Sequence, residues 1–293
     1  MTSGEESRVR SLVLTALFLN VVLLVFAALV YFATESQLVL AQGADSLFDL
    51  AAGVILAVSA SVGDRPRDEN HPFGHQRAEP IGALVTAVLA GVLAFEVLRS
   101  SVGALVLGEA RTFEFSIAAV LGTKFLIKSM LYGYLARKRE VRTSPALRAT
   151  MVDTRNDVLA TLSSLVGAGL FQFGFEWADA ALAVPIAIYI GYAGIELAQE
   201  NLRYLMGEAP DADAQDEIAR LAAEPPGVLE VRSVRAQYLG QRLHVEVTIL
   251  VPEQSSAAEA HDIALAVQRA IEDLESVEMC FVHPETRSVI DHD

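Results

Sequence analysis

Six apolar runs, at positions 11–33, 38–62, 80–98, 113–136, 147–173 and 178–198, constrain this chain more than any other feature. A helix needs about 20 such residues to cross the hydrocarbon core of a bilayer. A chain inside lipid must also satisfy its own backbone hydrogen bonds, which helices do within a single segment. A water-soluble domain has no use for so many runs, and a 293-residue chain that is 53% hydrophobic fits a membrane protein. The expected class is therefore an α-helical membrane protein with six transmembrane helices. The first run follows Arg8 and Arg10, as in a signal peptide. It is too long for one and lacks a cleavage site, so it reads as an uncleaved span.

Past Tyr204 the hydropathy falls, and Gly207-Glu208-Ala209-Pro210 reads as a boundary. This gives a six-helix transmembrane domain over 1–206 and a polar domain over 207–293. The polar part predicts a helix over 213–223, strands over 228–237 and 243–251 around the turn Leu239-Gly240-Gln241, a helix over 256–274 and a strand over 277–282. That order suggests a small two-layer α/β domain with an antiparallel sheet. The formal net charge of -15 leaves no basic footprint for nucleic acid. Cys280 is the only cysteine, which excludes an internal disulfide framework and reads as a buried structural thiol in the last strand.

Basic residues set the orientation. Arg8 and Arg10, then Arg65, Arg67 and Arg77, then Arg137, Lys138, Arg139, Arg142 and Arg148 fall on one side. The opposite side carries Glu35, then Arg99, Glu109 and Arg111, then Glu176 and Asp179. The positive-inside rule puts both termini and the polar domain in the cytoplasm, with the chain multi-pass in the cell (inner) membrane.

The chemistry is in the apolar runs themselves. Asp45 and Asp49 lie four residues apart in the second, and Asp153 and Asp157 repeat that spacing in the fifth. Residues i and i+4 share a helix face. Ionisable groups at membrane depth are costly and mark functional paths. Four carboxylates make an all-oxygen site suited to hard divalent ions such as Mn²⁺, Mg²⁺ or Ca²⁺. Without a cation they repel one another, so such a site holds protons or a metal in turn. Lys124 and Lys128, also four apart, either balance these acids, line a charged cavity, or snorkel toward the cytoplasm. Glu114 and Glu96 read as interfacial. Asn20 is a further polar candidate in the first run, and Asn156 turns about 100° away from Asp157.

Between the second and third runs, Asp68 and the stretch His71-Pro72-Phe73-Gly74-His75 form a second cluster with metal-ligand residue types. The Asp-x-x-x-Asp pair, this His-Pro-Phe-Gly-His-x-Arg-x-Glu stretch and the acidic pair of the fifth run together resemble the cation diffusion facilitator family. The resemblance covers nearly the whole chain. It implies a homodimeric secondary transporter in the lipid bilayer that exports divalent metal ions by proton antiport and alternating access. It also implies a ferredoxin-like C-terminal domain and a transport site at Asp45, Asp49, Asp153 and Asp157. Zinc transporters of the family usually carry His where this chain has Asp153, so the chain resembles the manganese-type branch. Mn²⁺ is the expected substrate, with Fe²⁺, Zn²⁺ or Co²⁺ behind it. A family loop site maps onto Asp68, His71 and His75. The cytoplasmic ligands map onto His261, His283 and Glu285, but Arg232 and Thr248 replace histidines there; His244 and Glu246 are candidate substitutes.

Other classes fit less well. A zinc- or iron-selective exporter of the same family differs only in its ion. A channel needs a ring of acids around a symmetric pore, not four on two helices. An intramembrane aspartyl protease carries Gly-x-Gly-Asp, whereas Ser61-Val62-Gly63-Asp64 lacks the first glycine. A membrane di-iron oxygenase needs several His-rich boxes, and only His71 and His75 come near. The chain is expected to be a transporter with no cofactor, not an enzyme.

Overall fold

The computed structural model describes residues 3–107, 115–142, 144–175, 177–240 and 242–286. Glu109, Arg111, Glu114, Glu176 and Gln241, named above, and the start of the run 113–136 lie outside them. The chain divides into two compact units, Met1–Leu202 and Arg203–Asp293.

The first unit is built on six long helices: α1 (Ser3–Thr34), α2 (Gln37–Gly63), α3 (Ala78–Leu107), α4 (Phe115–Leu135), α5 (Pro145–Gln172) and α6 (Ala178–Met206). Among the described residues four of them, α1, α2, α3 and α6, are long and apolar enough to cross a membrane. The six expected spans thus stand at four on length and apolarity. Helices α4 and α5, of 21 and 28 residues, interrupt their apolar sequence with Lys124 and Lys128 and with Asp153, Arg155 and Asp157.

Helix α1 shows the burial logic. Val9, Val13, Ala16, Asn20, Leu23 and Ala27 are buried at spacings of three and four, with Leu12 beside them, which is one helical face. The opposite face is equally apolar but open: Phe18, Leu29 and Phe32 are 65%, 64% and 78% exposed. The pattern recurs at Phe95 on α3 and Met130 on α4. Monomers in water do not leave that much contiguous apolar surface uncovered. Lipid is the solvent that accepts it.

Small residues let the helices close up, as is usual for membrane packing. A side chain on Gly82 of α3 would strike Ser59 of α2, and one on Gly167 of α5 would strike the backbone of Asp179 at the start of α6. The start of α5 is tightly specified. Ser144 caps it, accepting from Leu147 N, and Pro145 takes the first turn. The buried carboxylate of Glu79, at the head of α3, then accepts from Ser144 Oγ at 2.7 Å and from Ala146 N at 3.3 Å. An anion at a helix N-terminus is favourable.

The second unit continues with α7 (Ala212–Ala223), β1 (Glu230–Leu239), β2 (Arg242–Leu250), α8 (Ala257–Glu272) and β3 (Val277–Glu285). The expected order of elements is present. The sheet runs β1-β2-β3, with β1 and β2 antiparallel and β2 and β3 parallel. The wholly antiparallel sheet expected from the sequence is therefore corrected. Helix α8 lies between β2 and β3, and a helical crossover returns the chain to the same end of the sheet, which makes the pair parallel. Leu243, Val245, Val247 and Ile249 of β2 pack against Ile218 and Ala222 of α7 and Val267 and Ile271 of α8. A Ser256–Glu259 capping box starts α8. Cys280 is buried in this core as a free thiol.

Candidate metal site

Helices α2 and α5 carry the two acidic pairs, and α4 packs against both. Carboxylate oxygens of Asp45, Asp49 and Asp157 lie within 4.8 Å of one another. Asp153 lines the same cavity, of about 250 Å³, without belonging to that closest trio. It also borders a narrower gap of about 10 Å³ beside Asn20 and Thr154, room for one water at most. Asp49 is 5% exposed. Hydrogen bonding fixes its backbone, since Asn20 of α1 donates to the Asp49 carbonyl at 3.2 Å. The expected carboxylates thus share one pocket, with three in direct ligand range and one at its wall.

Two cations share that pocket. Lys124 Nζ lies 2.5 Å from Asp45 Oδ2, 3.1 Å from Asp49 Oδ2 and 3.5 Å from Asp157 Oδ1. Lys128 Nζ lies 3.4 Å from Asp49 Oδ2 and pairs with Asp157 Oδ2. Both lysines are almost wholly buried, which rules out snorkelling. Both lysines face the acids, and Lys124 also lines the charged cavity, so the two bundle-facing readings hold together and snorkelling does not.

Asn156 lines the cavity, although its angle of about 100° from Asp157 points it away from that residue's face. Its side-chain oxygen and nitrogen are both buried without a hydrogen-bond partner among the described residues. The overlooked signal is its spacing of three from Asp153, which shares a helix face.

The loop cluster is also assembled. Asp68 Oδ1 accepts from the Asn70 and His71 amides at 3.0 and 2.7 Å and sits 3.0 Å from His71 Nδ1. His75 Nε2 is 3.4 Å from Asp68 Oδ2, and ligand atoms of all three residues lie within 4.8 Å. Desolvation opposes the charge on Asp68, but the hydrogen bonds and charge of His71 and the Asn70 amide together outweigh it and hold its pKa below the ordinary 3.8. His75 Nδ1 is buried without a partner among the described residues.

In the second unit the expected ligands do not meet within one protomer. His283 and Glu285 alternate with the core-facing Cys280 and Val282 on β3, so they stand on the sheet face away from the helices. Thr248 pairs in register with His283 on that face, and Glu246 pairs with Phe281. His261 is on α8, exposed, in the helix layer. His283 Nε2 is 3.8 Å from Glu285 Oε1, whereas Arg232 pairs with Glu230 at 3.6 Å. His244 faces Glu246 at 3.7 Å and stacks near Phe281.

Comparison with known proteins adds to this geometry. The family described as the cation efflux transmembrane domain matches residues 13–206, and the cation efflux protein cytoplasmic domain matches 210–287. An uncharacterized transporter of Methanocaldococcus jannaschii is 28% identical over 90% of this chain and 93% of its own. The manganese efflux system protein MneS of Bacillus subtilis is 25% identical, covering 86% of each chain. Among solved structures, a cadmium form of a MamM C-terminal domain variant is 34% identical over 26% of this chain and 96% of its own, with a TM-score of 0.25. With both halves matched and the apolar helices in place, the chain belongs to the cation efflux family of membrane proteins, also called cation diffusion facilitators, which carry divalent metal cations.

Proposed function

We propose that this chain exports Mn²⁺ from the cytoplasm in exchange for protons, with Fe²⁺, Zn²⁺ and Co²⁺ as poorer substrates. The observation that carries the reading is the meeting of Asp45, Asp49 and Asp157 in a cavity that Asp153 also lines. Oxygen donors without imidazole suit a hard ion and give up the ligand that favours zinc. The manganese efflux named in the Bacillus subtilis relative agrees with that chemistry.

In this mechanism the ion enters from the cytoplasm, takes the carboxylates and releases protons. The bundle then rocks to face outward, as alternating access requires. All six long helices cross the membrane, the two charged ones shielded by the others. The two family matches support a transport domain over 1–206 and a cytoplasmic domain over 207–293. Both termini are cytoplasmic, from the distribution of arginine and lysine, and the chain works as a homodimer. Asp68, His71 and His75 form a second, loop-borne metal site. His261, His283 and Glu285 would serve the cytoplasmic domain only if residues of two protomers combine.

The test is Mn²⁺ flux in proteoliposomes under an imposed proton gradient, with a pH dye inside. Wild type moves Mn²⁺ with counterflow of protons, and Asp49→Ala and Asp157→Ala each abolish both. Undiminished exchange in the two variants would remove the proposed site.

A further inference from the structure

The lysines of α4 deserve a role of their own, and the following rests on the transport site just proposed. Their four-residue spacing stacks both ammoniums on the α4 face that meets α2 and α5. Each lies among two or three of the acids, and the Oδ2 atom of Asp49 is shared by both. A divalent ion on these carboxylates needs the same oxygens at roughly 2.0–2.6 Å. Ion and ammonium therefore contend for common lone pairs, and they repel each other in a pocket where both lysines and Asp49 are buried. Charge arithmetic points the same way. Four ionised aspartates and two ammoniums leave two negative charges, which one divalent ion neutralises. Without the lysines the same ion would face four negative charges.

We propose that Lys124 and Lys128 are tethered counter-ions of the transport site, limiting how tightly it holds a divalent ion and so permitting release. Their place in the pocket makes them affinity-determining residues that need not touch the metal.

The experiment is Mn²⁺ titration calorimetry on the purified full-length protein, with Mn²⁺ turnover measured in proteoliposomes. Lys124→Met and Lys128→Met are expected to tighten Mn²⁺ binding by about tenfold or more, because a nearby like charge is removed from a poorly screened site. Turnover at saturating Mn²⁺ should fall in step, as release slows. Lys124→Arg, which retains the charge, should bind within about threefold of wild type on the same electrostatic argument. Size-exclusion and thermal melting report whether each variant folds. Where a Met variant does not, Lys124→Gln and Lys128→Gln, which keep a hydrogen-bond donor, are read by the same criterion. Folded variants with unchanged or weaker Mn²⁺ binding overturn the proposal. Asp49→Asn separates the two readings: if it binds Mn²⁺ as wild type does, the transport site itself is wrong, whereas its loss of binding with unaltered lysine variants defeats only the counter-ion role.

Discussion

Glu79 should be worth more to this fold than its place in the sequence suggests. Its side chain is buried at the head of α3, where Oε2 accepts from the Ser144 hydroxyl and the Ala146 amide at the start of α5. Replacing it by alanine removes both bonds and the negative charge facing the helix N-terminus. It also leaves a hydroxyl and an amide buried without that acceptor. Hydrogen bonds to a charged group contribute about 1.5–3 kcal/mol each, and the helix-terminus interaction about 0.3–2 kcal/mol. Neighbouring terms of this kind do not add fully, so the expected loss for Glu79→Ala is about 3 kcal/mol. That is roughly a hundredfold shift in the ratio of folded to unfolded protein. Glu79→Gln keeps an oxygen acceptor and should lose only about 1 kcal/mol, the size of a neutral hydrogen bond. The assay is unfolding of the full-length protein in mixed micelles by SDS titration, followed by far-UV circular dichroism. Because α5 carries Asp153 and Asp157, Glu79→Ala should also lower Mn²⁺ flux. A midpoint for Glu79→Ala within about 0.5 kcal/mol of wild type, the range of ordinary surface changes, would show that this carboxylate does not hold α5.

Three further outcomes are expected. Asp153→His brings imidazole into the cavity and should shift the ratio of Zn²⁺ to Mn²⁺ affinity toward zinc; a ratio that stays put leaves the selectivity argument without support. Gly82→Val forces a side chain into Ser59 at the α2–α3 crossing and should cost about 1–3 kcal/mol in the same SDS titration, as overpacking does; a wild-type midpoint would mean that the helices part at no cost. Burial, aided by the nearby Glu272 carboxylate, pushes the Cys280 thiol up to about 12 from an ordinary 9.0. The folded domain thus favours the neutral thiol, a stabilisation fully present below about pH 9 and lost as pH rises toward 12. At pH 8 maleimide should label Cys280 only after unfolding, and equal labelling rates in folded and unfolded protein would contradict its burial.

What the residues disclosed in advance follows from how local each signal is. The long helices and the acidic pairs rest on hydropathy and on i, i+4 spacing, both readable within one segment. The parallel pairing of β3 is not legible in strand patterning, which does not encode direction; it follows from the intervening α8. The lysines of α4 were ambiguous because facing the acids or snorkelling depends on how α4 is rotated against α2 and α5. Asn156 was lost to an argument from one neighbour's angle, when the cavity is wide enough to take in an arc of α5. The separation of His261 from His283 and Glu285 likewise needed the sheet's two faces, which no single strand reveals.

The acids and their counter-charges sit on different helices, and that division bears on transport itself. The aspartates of the proposed site are on α2 and α5, whereas both ammoniums belong to α4. Any motion of α4 relative to the other two changes the field at the ion without altering a single ligand. Moving an ammonium from 3 to 6 Å from one carboxylate, at an effective dielectric constant near 20, changes their attraction by about 3 kcal/mol. A shift of that size alters ion affinity roughly a hundredfold. A site that binds tightly on one side of the membrane and weakly on the other therefore needs only a modest displacement of α4. Spin labels on α2 and α4, with Cd²⁺ as a diamagnetic probe, should show their separation changing between ion-loaded and ion-free protein. If the α2–α4 distance is the same in both, affinity is not controlled through α4, and the carboxylates themselves must rearrange.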